Sequence, residues 1–273
     1  MKKIMVSVAP VSAGDKNIQP EKIADDVYRC YLAGAAMVHL HARNEHGALT
    51  PNLTILKRTV DLIREKCDIV VEISTGGVSD LTIEERCQPC YAPWVEANSL
   101  NVGSVNLGDS VYCNPIKDVR FCVKQIFDNN KIAETELFEV GMANTLRELD
   151  EAYHFPRPML IALVMGHDGE MPATRAGLDH LVSGVYDNFY KDDVIWGYTE
   201  AHRKNWELME YALETGAGSV RIGFEDSDYL SPENRVDHNY MLIEKATEII
   251  RSKEMETMSP DEARTMLGIT KKL

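Results

Sequence analysis

Short apolar, β-rich runs alternate eight times with longer amphipathic stretches, and this alternation restricts the fold more than any other feature of the chain. The β-rich runs are residues 4–9, 37–41, 69–74, 99–102, 135–139, 159–164, 194–197 and 219–222. The helical stretches are 20–33, 53–66, 82–91, 116–129, 144–153, 177–190, 201–215 and 233–252. Several of the runs are apolar on both faces, as strands buried in a parallel sheet are. Gly34 and Gly216 follow helical stretches as C-terminal caps do. Thr82 ahead of Glu84 and Glu85, and Ser231-Pro232-Glu233, read as helix starts. Eight right-handed βα units close into an α/β (β/α)8 TIM barrel. An open doubly wound sheet is the alternative, but the first βα turn, at 9–15, lacks the glycine fingerprint of a dinucleotide site. No linker, composition shift or low-complexity segment interrupts the pattern, so one barrel domain is expected over residues 1–273.

A net charge of −14 and a pI near 5.0 argue against nucleic acid or an anionic membrane as partner, though a local basic patch can still bind an anionic coenzyme. The apolar run behind Lys2-Lys3 is too short for a secretory signal, and no stretch has membrane-spanning length, so a cytoplasmic protein is expected. Six cysteines are scattered along the chain. Cys87-Gln88-Pro89-Cys90 has a redox or zinc spacing without a second pair to complete a four-cysteine site, and reduced thiols are expected.

In a barrel of this type the chemistry lies at the C-terminal ends of the strands. Polar groups collect there: His39 and His41 on strand two, Ser74-Thr75-Gly76-Gly77 on strand three, Ser99 and Asn101 on strand four, Glu139 on strand five, and Arg221, Glu225 and Asp226 on strand eight. Residues i and i+2 of a strand share a face, so His39 and His41 can present two imidazoles to one point. With a carboxylate from another strand end they make a three-ligand site with an open position, the pattern of a catalytic zinc. The competing reading is a pair of hydrogen-bonded core histidines. Glu225 and Asp226, being adjacent, point in divergent directions, so one can ligate metal while the other faces substrate. Arg221 can pair with Asp226 and orient it as a base, or the pair can be purely structural. The 74–77 turn offers hydroxyls and backbone N–H groups to a carboxylate, phosphate or oxyanion. His46, in Asn44-Glu45-His46-Gly47, reads as a solvated turn residue.

Five segments in order carry a family resemblance: His-Leu-His at 39–41, Ile-Ser-Thr-Gly-Gly at 73–77, Ser-Leu-Asn-Val-Gly-Ser-Val-Asn at 99–106, Phe-Glu-Val-Gly-Met at 138–142 and Arg-Ile-Gly-Phe-Glu-Asp at 221–226. Over nearly its whole length the chain resembles the β-keto acid cleavage enzymes, zinc-dependent barrels that act on a β-keto acid and acetyl-CoA. The resemblance implies zinc ligation by His39, His41 and Glu225, and a base at Asp226 assisted by Arg221. It implies that Ser74 binds the substrate carboxylate, with Thr75, Gly76, Ser99, Asn101 and Glu139 completing the candidate substrate-binding set. It also implies acetyl-CoA as co-substrate, with acetoacetate and a new acyl-CoA as products, and a homo-oligomer. In an amine-accepting member a glutamate of the first βα turn meets the substrate ammonium; here Gly14 takes that place, beside Asp15. The turns after strand six (His167, Asp168) and strand seven (Glu200, His202) are more charged than the family's glycine-rich versions.

Two other functions fit the same residues. One is a metal-dependent aldolase-like lyase using the same Lewis-acid chemistry without CoA, which acyl transfer from acetyl-CoA to acetoacetate discriminates. The other is a non-enzymatic binding barrel in which the histidines anchor an anion, which metal content discriminates.

Overall fold

A computed structural model of the chain describes residues 1–270. Eight parallel strands form the barrel: β1 Lys3–Val8, β2 Met37–Leu40, β3 Val70–Ser74, β4 Ala97–Asn101, β5 Ile132–Leu137, β6 Met159–Met165, β7 Val194–Glu200 and β8 Ser219–Ile222. They pair in chain order, and β8 returns to β1 with Met5 opposite Ser219 and Val8 opposite Ile222, closing the (β/α)8 barrel. Strand β6, Met-Leu-Ile-Ala-Leu-Val-Met, is buried at every position, as the doubly covered environment requires.

Among the described residues, nine helices surround and seal the barrel: α1 Pro20–Ala33, α2 Thr54–Arg64, α3 Ile83–Arg86, α4 Ile116–Asp128, α5 Gly141–Tyr153, α6 Arg175–Asn188, α7 Glu207–Thr215, α8 Asn239–Ser252 and α9 Pro260–Leu267. The longer helices bury an apolar stripe at helical spacing; α2 does so through Leu56, Val60 and Ile63. Gly34 ends α1 in a left-handed conformation and donates to the carbonyls of Cys30 and Tyr31. Gly216 closes α7 at a positive φ of 126° and donates to the Ala212 carbonyl. Thr82 and Glu85 form a reciprocal capping box on α3. None of the described helices is long and apolar enough to cross a membrane.

Three helical expectations are corrected. The stretch 82–91 is split into α3 and a 3-10 turn, Gln88–Tyr91, because Pro89 has no N–H with which to continue the ladder. Ser231-Pro232-Glu233 does not start a helix. It forms the end of a hairpin, Tyr229–Ser231 with Asn234–Arg235, held by the Trp206 indole donating to Leu230 O, and α8 begins only at Asn239. Residues 201–206 are loop, with Arg203 stacked 3.7 Å over the Trp206 ring.

The pattern reading passes over α9. It is announced by Ser259-Pro260-Asp261-Glu262, in which Ser259 and Glu262 make a capping box with proline in the first turn. Ala263 and Leu267 of α9 pack on Met5, Met37, Val70 and Leu160, at the N-terminal ends of their strands, and plug the barrel from below. Arg264, on the same helix, donates to Glu96 (2.6 Å) and reaches Asp68 (3.2 Å). The lower end of the barrel is thereby closed. A second hairpin, Val105–Leu107 with Ser110–Tyr112, rises above β4 at the other end.

Candidate active site

Strand parity and register place ionisable side chains inside the upper barrel. His39 of β2 stands opposite Glu72 of β3, and Glu134 and Glu136 share one face of β5. His39, Glu72 and Glu134 are buried, with ligand atoms within 4.8 Å of one another. Arg221 of β8 is also buried and donates to Glu136 Oε1 at 3.2 Å. A set of charges this size persists inside a barrel only where partners satisfy it.

At the top of this set three ligand atoms converge. His39 Nε2 lies 3.2 Å from His41 Nε2 and 3.4 Å from Glu225 Oε1, and His41 Nε2 lies 3.3 Å from the same oxygen. Strand β2 ends at Leu40, yet His41 keeps the extended alternation and reaches the same point as His39. The opposite ring nitrogens are engaged: His39 Nδ1 is 3.1 Å from Glu72 Oε1, and His41 Nδ1 is 3.2 Å from the carbonyl oxygen of Gly76. With each Nδ1 donating to these acceptors, a neutral ring presents its Nε2 lone pair to the common point. Two lone pairs and a carboxylate oxygen aimed at one point are an arrangement for a cation. The separations match the roughly 3.3–3.4 Å edges of a tetrahedron with metal–ligand bonds of about 2.0–2.1 Å. Glu72 stands behind His39 where a supporting carboxylate would stand if that imidazole held a metal.

The electrostatics favour positive charge there. Burial alone would push His39 down, but the charges of Glu225 and Glu72 outweigh it and raise its pKa well above the ordinary value. His41 is lowered, mainly by burial. Burial would raise Glu225, yet His41, His39 and Arg221 together hold it well below the usual carboxylate range. Glu134 is pushed well up by burial and by the neighbouring Glu72 charge.

Next to the three donors, Arg221 grips Asp226 with two bonds, Nη2 to Oδ1 at 2.6 Å and Nε to Oδ2 at 3.1 Å, and its Nη2 lies 3.5 Å from Glu225 Oε1. The two adjacent acids thus face different partners. Gly223 makes this turn possible: an added Cβ would sit 2.2 Å from Ala9 O, the carbonyl that accepts the Glu225 N–H.

A cavity of about 990 Å³ opens over these groups. His41, Ser74, Glu136, Arg221, Glu225 and Asp226 line it from below, and His167, Asp168 and His202 from the loops after β6 and β7. Lys16 and Arg43 lie on the side of the first two βα loops. Asp15 faces a separate cavity beside α1, and Glu200 accepts the Tyr198 hydroxyl away from the opening.

The sequence-expected substrate set divides. Ser74 lines the cavity, its hydroxyl oxygen accepting from Ser99 (3.1 Å) and from Gly76 N–H (3.1 Å). Thr75 is turned into the wall, donating to Ser99 O at 2.7 Å. Gly76 contributes its carbonyl to His41, and a Cβ there would meet the Tyr112 hydroxyl at 1.4 Å, so only glycine fits. Ser99 is buried beneath Ser74, and Asn101 caps Gly103 N–H at 3.0 Å; neither lines the cavity. Glu139 lies past the end of β5 and outside the lining, whereas Glu136, which the sequence reading passes over, faces in. The missed signal is spacing: Glu134 and Glu136 alternate on one strand, and that pattern marks an inward face only once the register with Arg221 is known. Cys87 and Cys90 are free and buried with Cys122 behind the wall.

The chain matches the model of the β-keto acid cleavage enzyme family over residues 6–269. It is 31% identical over 253 residues to the 3-keto-5-aminohexanoate cleavage enzyme of Acetoanaerobium sticklandii, covering 92% of this chain and 90% of that protein. It is 25% identical to the 3,5-dioxohexanoate:acetyl-CoA acetone transferase of Paraburkholderia graminis, covering 98% and 96%. The solved ternary complex of ObcA with a C4-CoA adduct and oxalate shares the fold, with a TM-score of 0.79 at 16% identity over 92% of this chain and 67% of that one. With a match that runs from within β1 to beyond α9, the chain belongs to the β-keto acid cleavage enzyme family and is an acyltransferase of β-keto acids.

Proposed function

We propose that the chain is a zinc-dependent enzyme that condenses a β-keto acid with acetyl-CoA and releases acetoacetate and a new acyl-CoA. The observation that carries this reading is the convergence of His39 Nε2, His41 Nε2 and Glu225 Oε1 beside the Arg221–Asp226 pair at the floor of the cavity. Two imidazoles and one carboxylate suit zinc and leave a position for substrate. Zinc held by these residues supplies a Lewis acid toward the keto acid and lessens the basicity asked of the enzyme's base.

The protein's own groups do the rest. Asp226 accepts the proton from the carbon between the two carbonyls and returns it to the released acetoacetate. Arg221 fixes both Asp226 oxygens, so the base meets that carbon in one orientation. Ser74, positioned by Ser99, offers its hydroxyl to the substrate carboxylate. Glu136 takes the remaining Arg221 nitrogen and keeps the guanidinium from turning toward the substrate. Glu72 holds His39 in the tautomer that points Nε2 at the metal.

The test is a panel of β-keto acids incubated with acetyl-CoA, with mass detection of the acyl-CoA products. Acetoacetate formed together with a new acyl-CoA from at least one member supports the reading. Cleavage that proceeds equally without acetyl-CoA would replace it with an aldolase-like lyase.

A further inference from the structure

His167 is built into the cavity wall more firmly than a loop histidine needs to be. Its Nδ1 is 2.8 Å from Glu170 Oε1, and its backbone N–H donates to the same oxygen at 2.9 Å. The Glu170 side chain is wholly buried, while the His167 ring is 26% exposed, on the cavity side. The ring is flanked by His202, edge-on at 5.8 Å, and by Phe138 at 6.5 Å. Gly166 allows this path: a Cβ there would meet Ala201 O at 2.7 Å. The loop is further tied to the hairpin above β4 by Gly108 N–H donating to Asp168 O at 2.9 Å. Carboxylate behind, rings on either side and open cavity in front leave the ring one free polar atom, Nε2.

Burial would favour the neutral ring, but the hydrogen bond and charge of Glu170 outweigh it and raise the His167 pKa. With Nδ1 donating to the Glu170 carboxylate, protonation of the ring places its second N–H on Nε2, where it faces the cavity as a charge-assisted donor. Two more cations, Lys16 and Arg43, line the cavity; Arg43 donates to the Gly47 carbonyl, feels the charges of Glu225 and Asp15, and among the described residues its buried Nε has no hydrogen-bond partner.

We propose that His167, oriented by Glu170, is a substrate-binding residue whose Nε2–H holds an anionic oxygen of a bound substrate away from the His39–His41–Glu225 centre. Such an oxygen has two sources: a second carboxylate at the far end of the β-keto acid, or a phosphate of coenzyme A. The proposal deepens the function proposed above and rests on it for the identity of the substrates, but not for the existence of the anion site.

The experiment compares wild type, His167→Ala and His167→Gln, the last keeping a neutral donor of similar reach. Steady-state kinetics use 3-oxoadipate against 3-oxohexanoate, and acetyl-CoA against acetyl-pantetheine, which lacks the adenosine phosphates. Titration calorimetry with glutarate and with coenzyme A gives a readout independent of turnover. Loss of a charge-assisted hydrogen bond predicts a KM or Kd raised about tenfold or more in His167→Ala, with kcat changed less than about twofold and partial recovery in His167→Gln. Confined to 3-oxoadipate and glutarate, the effect identifies a keto acid carboxylate; confined to acetyl-CoA and coenzyme A, it identifies a phosphate. Wild type that binds glutarate or coenzyme A through His167 but turns over no β-keto acid would refute the reaction and leave the anion site standing. No binding of either anion by wild type, equal constants in wild type and His167→Ala, or losses in both variants matched by a fall in Tm would overturn the proposal.

Discussion

The Arg221 guanidinium holds both oxygens of the Asp226 carboxylate, at 2.6 and 3.1 Å, and its third nitrogen is taken by Glu136 at 3.2 Å. An acid gripped in this way cannot swing toward the three metal-directed donors beside it. Asp226→Asn preserves the shape and removes the basicity. The expected outcome is unchanged zinc content by elemental analysis and kcat lowered by about 10²–10⁴-fold. Unaltered kcat would remove Asp226 from the role of base.

His39→Ala removes one of three donors and leaves Glu225 facing a single imidazole. Stoichiometric zinc is expected to be lost on dialysis and turnover to fall to background, while the circular dichroism of the barrel stays intact. A variant that retains one zinc per chain would place the ion elsewhere.

Glu72→Gln tests the layer beneath. The Glu72 oxygen 3.1 Å from His39 Nδ1 fixes the tautomer, and an amide can present its nitrogen instead. Zinc affinity measured by chelator competition is expected to weaken by about 10–100-fold. Affinity equal to wild type would show that His39 orients without its carboxylate.

At the closed end, burial pushes the Glu96 carboxyl up, but the Arg264 hydrogen bond and the Arg64 charge outweigh it and hold the pKa below the ordinary value. A carboxylate lowered on folding contributes stability that is present above its unfolded pKa and lost as pH falls through the folded one. Arg264→Met strips this pair and leaves Glu96 half-partnered; a cost of about 3 kcal/mol at neutral pH is expected in urea unfolding. The acid limb of the stability–pH curve, from about pH 4.3 downward, should also be flatter in the variant than in wild type. Parallel limbs would show that the bond to Arg264 does not set the Glu96 titration.

The barrel was legible because strand and helix differ in period, and eight alternations leave few ways to close a sheet. The convergence of His39, His41 and Glu225 was legible for a similar reason: His39 and His41 sit two apart, and Glu225 and Asp226 follow an apolar strand directly. What the chain hides is register. Glu72, Glu134 and Glu136 read singly as polar positions of ordinary strands, and only pairing across β2, β3 and β5 shows that they meet His39 and Arg221 inside. The same three-residue ambiguity drew attention to Glu139 instead of Glu136. The hairpin at 229–235 was misread because proline followed by glutamate suits a tight turn as well as a helix start. Helix α9 was overlooked although its capping box was in plain view, because it falls outside the eightfold repeat.

His41 and Glu225 are 184 positions apart in the chain and meet only where β8 zips onto β1. A nascent polypeptide leaving the ribosome carries both imidazoles early but lacks their third partner until the final strand has emerged. If these residues hold an ion, its capture at full strength would report that the cylinder has shut, and any lesion that delays the last strand would also delay the site's assembly.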